Sequence, residues 1–142
     1  MKNQKMFPRV LALLLLALVA AACGGGNATP TQAYETYYKG MKSRNVAAIK
    51  SVLTKSELER MDEGARQSKQ SLDEFLGKIV EIGSMDVAET MPELRNEKIA
   101  GDGKTATLEV KEPFRADKGS GRWMTFKFYK EDDGWKLHLR GG

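Results

Sequence analysis

The feature that most constrains this chain is a change of period. Over residues 29–83 apolar side chains recur at helical spacing, and from about residue 91 they alternate. A helical pattern puts i, i+3, i+4 and i+7 on one face, and an alternating one puts every second residue on one face of a strand. The chain therefore divides into a helical half followed by a sheet half. Thr29 stands at an N-cap, Pro30 at N1 and Gln32 at the capping-box position. Tyr34, Tyr37, Tyr38 and Met41 then share one face, interrupted by Gly40 at a cost of about 1 kcal/mol relative to Ala. Ser43, Arg44 and Asn45 make a turn, and Asn45 caps a short helix with Val46, Ile49, Val52 and Leu53 inward. Thr54 or Ser56 opens a third helix, with Leu58, Met61 and Ala65 on its inner face. After a polar break at residues 67–70, Ser71 and Glu74 form a capping box for Leu72, Phe75, Leu76, Ile79 and Val80, and Gly83 closes the helical half.

The second half reads as a meander of about four strands. Residues 91–100 make a weak strand with Pro92 at its start or edge. Gly101, Asp102 and Gly103 form a hairpin turn. Residues 104–112 place Ala106, Leu108 and Val110 on one face, and residues 122–130 do the same with Met124, Phe126 and Phe128. Trp135, Leu137 and Leu139 alternate with Lys136, His138 and Arg140. Three or four helices followed by antiparallel strands give an α+β domain, with the helices covering the apolar face of the sheet.

The first 22 residues read differently. Lys2, Lys5 and Arg9 precede an uncharged run, residues 10–22, of 13 residues. A membrane-spanning helix needs about 20, so the run fits a cleaved signal peptide over residues 1–22 and not an anchor. Those residues hold three basic side chains and no acidic ones; the rest of the chain carries 20 basic and 19 acidic. A balance of +1 supplies no basic footprint, so nucleic acid is not an expected partner. Cys23 follows Ala20, Ala21 and Ala22 and precedes Gly24, Gly25 and Gly26. An apolar run, small residues and then Cys resembles the lipobox of bacterial lipoproteins, with Ala20 where Leu is commonest. The resemblance implies a diacylglyceryl group on the Cys23 thiol, cleavage before it and, usually, palmitate or another acyl chain on the new amino terminus. Two or more chains meet the requirement for stable anchoring. Residues 23–29 then form the lipidated Cys and a Gly-rich tether. Residues 30–142 form the domain. The implied location is the cell envelope: the periplasmic face of the outer membrane in a Gram-negative host, otherwise the outer face of the cytoplasmic membrane. Ordinary signal cleavage at the same bond, leaving a free thiol, is the rival reading.

The helix-then-meander order, with the ending Phe128, Tyr129, Lys130, Glu131, Asp132, Asp133, Gly134, Trp135, Lys136, Leu137, resembles the NTF2-like superfamily. More narrowly it resembles the DUF4878 group of small bacterial lipoproteins, over residues 29–140. The resemblance implies a sheet curved into a cone around a pocket. It does not choose a function, because the superfamily holds isomerases and dehydratases beside non-catalytic binding and assembly domains. Tyr34, Tyr37, Tyr38, Met124, Phe126 and Phe128 are candidate pocket-lining residues, and Glu112, Arg122 and Lys130 are candidate rim residues. Trp123 and Tyr129 lie on the opposite face of the sheet and need cover, which makes them a candidate partner face. His138 alternates with the apolar residues and is expected at the surface. One His and one Cys exclude a Cys-built zinc site or a multi-His metal centre, and no nucleotide fingerprint is present, so no cofactor or metal is expected. Glu131, Asp132 and Asp133 read as a solvated turn.

The expected function is a membrane-anchored, non-catalytic envelope domain that binds a small ligand or a protein partner. The alternatives are an isomerase- or dehydratase-type enzyme using Glu112 or a tyrosine of the first helix, and a homodimeric assembly protein.

Overall fold

The structure is a computed structural model that describes residues 26–139. The expected signal peptide and Cys23 lie outside the described residues. Four helices come first: α1 (Pro30–Ser43), α2 (Val46–Val52), α3 (Lys55–Gln67) and α4 (Leu72–Asp86). Strands β1 (Leu94–Ile99), β2 (Thr105–Lys111), β3 (Trp123–Glu131) and β4 (Gly134–His138) follow, with a short 3₁₀ turn at Arg115–Asp117. The sheet is an antiparallel meander in the order β1-β2-β3-β4. The fold class is thus α+β.

Each helix begins where the sequence places a capping side chain. Thr29, Asn45, Thr54 and Ser71 accept from the backbone N–H of Gln32, Ala48, Glu57 and Glu74. Ser71 and Glu74 complete a reciprocal capping box. Helix α4 runs three residues past Gly83, to Asp86. Gly40 has a packing role: a Cβ there would lie 2.9 Å from Ile49 Cδ1, so its absence lets α1 and α2 approach closely.

Register aligns the apolar faces. Ala106 opposes Phe128, Leu108 opposes Phe126, and Val110 opposes Met124, while Phe128 also opposes Leu137. Tyr34, Tyr38, Met41, Val52, Leu76 and Val80 pack against this face to form one core. Strand β1 starts at Leu94, three residues later than residue 91, because the segment before it pairs with β2 only at Glu93. Asn96 (φ 54°) then breaks the register between Arg95 and Lys98.

Two expectations fail at the last strand. Leu139 lies beyond β4 and is exposed, and Lys136 is buried at 5% exposure. The cause is the α2–α3 connection, which crosses the edge of β4. Leu53 forms a parallel bridge to Leu137, and the Thr54 N–H donates to the Leu137 carbonyl at 3.1 Å. The face of β4 opposite the core is therefore roofed, and Lys136 Nζ donates to the Ser51 carbonyl (2.6 Å) and to Asp133 (2.7 Å).

The N-terminal approach is also fixed earlier than a tether to residue 29 implies. The Trp135 N–H donates to the Asn27 carbonyl at 2.9 Å, and the Thr36 hydroxyl donates to Asn27 Oδ1 at 2.8 Å. Gly134, at φ 123°, lies where a Cβ would meet the Asn27 carbonyl oxygen at 2.7 Å. Gly134→Ala combines this overlap with a left-handed backbone and should cost about 1–3 kcal/mol. Chemical denaturation checks the figure.

Candidate functional site

The interior expected to hold a pocket is filled around α1. Tyr34, at 1% exposure, meets Phe126 edge-on at 5.2 Å between ring centroids, and Phe128 is fully buried. Tyr38 is buried and donates its hydroxyl to the Ala88 carbonyl at 3.1 Å. Tyr37, Met124 and Phe126 are half-buried. Desolvation raises the pKa of all three tyrosines above the ordinary value. These hydroxyls stay protonated at neutral pH, which makes them poor bases. Burial gives Tyr34, Tyr38 and Phe128 a packing role, and Tyr37 and Phe126 pack against the same core from partly exposed positions.

The rim candidates do not converge. Arg122 pairs with Asp117 at 3.6 Å, and Lys130 Nζ lies 5.7 Å from the Trp135 ring centroid at the other end of β3. Glu112 (φ 47°) follows β2, where its carboxylate accepts from the N–H groups of Gly121 (2.6 Å) and Gly119 (3.0 Å). Those two bonds hold its carboxyl below the ordinary value. Glu112 is a turn clamp and too weak a base for the role considered for it. The partner-face candidates separate as well. Trp123 is half-buried, with the Arg95 guanidinium 3.7 Å from its ring centroid. Arg95 is in turn bonded to Glu109, so a neighbouring side chain supplies cover for this aromatic. Tyr129 is 40% exposed.

Two surface features were not legible as sites. The first is a cleft of about 530 Å³ beside Glu112, between residues 88–93 and residues 111–118. Residues 88–93 are held at their two ends to residues 111–113, by the Ala88 N–H to the Pro113 carbonyl at 2.9 Å and by the Lys111 N–H to the Glu93 carbonyl at 3.0 Å. Residues 89–92, between those bonds, line the cleft together with Phe114, Arg115 and Lys118, which lie beyond Pro113. Met91, Pro92 and Phe114 supply apolar lining. Arg115 donates through Nε to the Val87 carbonyl (3.4 Å), while Lys111 and Lys118 pair with Glu93 and Glu89.

The second is a buried carboxylate. Glu57, 1% exposed, binds Arg60 at 2.7 Å, and its Oε1 lies 3.3 Å from His138 Nδ1. Thr54 Oγ1 is 3.5 Å from the same nitrogen and 3.2 Å from Ser56 Oγ. His138, expected at the surface, is only part-exposed because the α2–α3 crossing covers its strand. It lines a groove of about 640 Å³ with Thr54, Ser56, Tyr129 and Glu131. The sequence did carry a signal: Glu57, Met61 and Ala65 share the four-residue spacing of one helix face. The same Glu57 stands three residues after the Thr54 cap, where a capping-box reading conceals it.

Comparison with protein-family models, with curated proteins and with solved structures finds no match to this chain. Among the described residues no group of His, Cys, Asp and Glu is arranged to hold a metal ion, and no helix is long and apolar enough to cross a membrane.

Two outcomes follow. Glu57→Ala strips Arg60 and His138 of a buried partner and should cost about 3 kcal/mol, whereas exposed Glu59→Ala should stay within about 0.5 kcal/mol; urea unfolding separates them. Glu112 has a lowered folded pKa, so its stabilisation is complete above the unfolded value of about 4.3 and is lost as pH falls through the folded one. Thermal melts from pH 6 to pH 3 should show a smaller acid-induced drop for Glu112→Gln than for the parent.

Proposed function

We propose that this chain is a bacterial envelope lipoprotein of NTF2-like, DUF4878-like architecture, anchored through lipid on Cys23 after removal of residues 1–22. Its domain is a non-catalytic binding module. The anchor rests on the lipobox-like context of Cys23, and the family reading rests on the helix-then-meander order. One observation carries the binding role: residues 88–93, held at both ends to residues 111–113, form with residues 111–118 a cleft lined by Met91, Phe114 and Arg115. An apolar floor with a few polar groups at its edge suits a ligand or a short segment of a partner protein. The filled interior argues against a ligand held inside a cone.

Changing Cys23→Ser should move the protein from the membrane to the soluble fraction of its host. Unchanged fractionation, or an intact mass without lipid on the parent, would sink the anchor.

A second reading, an acid–base enzyme of isomerase or dehydratase type, is favoured by the Glu57–His138 pair on its groove. Native mass spectrometry of protein from its own host separates the two. A small-molecule mass that is lost on denaturation and absent from His138→Gln supports the enzyme. A bare-chain mass favours capture of a protein.

A further inference from the structure

We propose that the end of the sheet carrying the β1–β2 hairpin, with Lys98, Ile99 and Lys104, rests on the lipid headgroups of the bilayer that holds the anchor. The cleft beside Glu112 then faces away from that bilayer. This rests on the reading of Cys23 as the lipidated residue.

Chain length supplies the main argument. The described domain begins at Gly26, packed so closely on the β3–β4 turn that a Cβ would overlap the Asp133 carbonyl oxygen. Asn27 is bonded to Trp135 and Thr36. Three residue steps lead from Cys23 to Gly26, and three steps span at most about 11 Å. The β3–β4 turn therefore lies within about that distance of the acylated residue.

Strand register identifies what else shares this end. Glu131 opposes Gly134, Thr105 opposes Tyr129, and Ile99 opposes Ala106. The Lys130 N–H donates to the Lys104 carbonyl at 2.8 Å. The first turn of α1 is tied here too, since the Thr31 N–H and hydroxyl both donate to Glu97 (2.9 and 2.6 Å). The cleft begins at the far end of β2, at Lys111. Six steps of strand, about 20 Å, separate it from Thr105. The tether is too short to reverse that order.

The chemistry of this end suits a headgroup layer. Ile99 is 52% exposed and flanked by exposed Lys98, with Lys104 across the turn. Among the described residues Lys104, Lys127 and Lys130 form no ion pair with a carboxylate and Lys98 feels Glu109 only through space, while three carboxylates accept from nearby donors: Glu97 from Thr31, Asp102 from the Lys104 N–H and Glu131 from the Lys55 N–H. Asp133 is paired with buried Lys136. With Asp132 counted, the formal charges balance, so attraction at a distance does not dock this end. The tether does, by holding it at high effective concentration against the surface. The lysines and Ile99 then make the local contacts with anionic headgroups and the acyl boundary.

The test uses the full-length lipidated protein in vesicles of phosphatidylcholine and phosphatidylglycerol. With Cys23 acylated, Ala100→Cys on the hairpin or Ala116→Cys beside the cleft adds the one reactive thiol, which carries an environment-sensitive fluorophore. Lipid with a spin-labelled headgroup should quench the label at 100 at least threefold more than the label at 116. Adding Lys98→Glu, Ile99→Glu and Lys104→Glu should erase that difference while the protein still floats with the vesicles. Equal quenching at both positions, or stronger quenching at 116, in a protein that floats would overturn the orientation and leave the anchor standing. A protein that does not float overturns the anchor and this orientation with it.

Discussion

The docking of the α2–α3 connection on the edge of β4 is the constraint from which most of the architecture follows. β4 is the last strand of an open meander, and an open edge presents unpaired backbone groups. The bridge from Leu53 to Leu137 and the bond from the Thr54 N–H to the Leu137 carbonyl occupy that edge. They also bring the start of α3 over the strand, which buries Lys136 and draws Glu57 against His138. A buried lysine charge is costly unless it is paired and hydrogen-bonded, and the Ser51 carbonyl and the Asp133 carboxylate give Lys136 two acceptors, one of them charged. Packing of helices on sheet and satisfaction of charge are thus one event here.

How far the sequence could be read follows from which interactions are local. Caps and periods act within a few residues, so all four helices, the Ser71–Glu74 box and the alternation of β2 and β3 were visible as residue patterns. The boundaries that moved depend on partners far along the chain. The late start of β1 reflects how residues 88–93 meet β2, and the burial of Lys136 reflects a segment about 85 residues earlier. Alternation assumes that one face of a strand meets water, and it fails where another segment roofs that face. The candidate site was less legible for the same reason. Glu112 was found because it falls in register with Ala106, Leu108 and Val110, but its role as a clamp needs the N–H groups of Gly119 and Gly121. Glu57 lay in a pattern that also reads as a cap.

The aromatic face of α1 decides where a ligand has room. Tyr34 and Tyr38 fill space that smaller side chains would leave open, and their burial is offset by contacts with Phe126 and by the bond to the Ala88 carbonyl. That bond fixes the first residue of the segment that frames the cleft. The same helix therefore fills the core through Tyr34 and Tyr38 and, through the Tyr38 hydroxyl, ties down one end of the segment that frames the surface cleft.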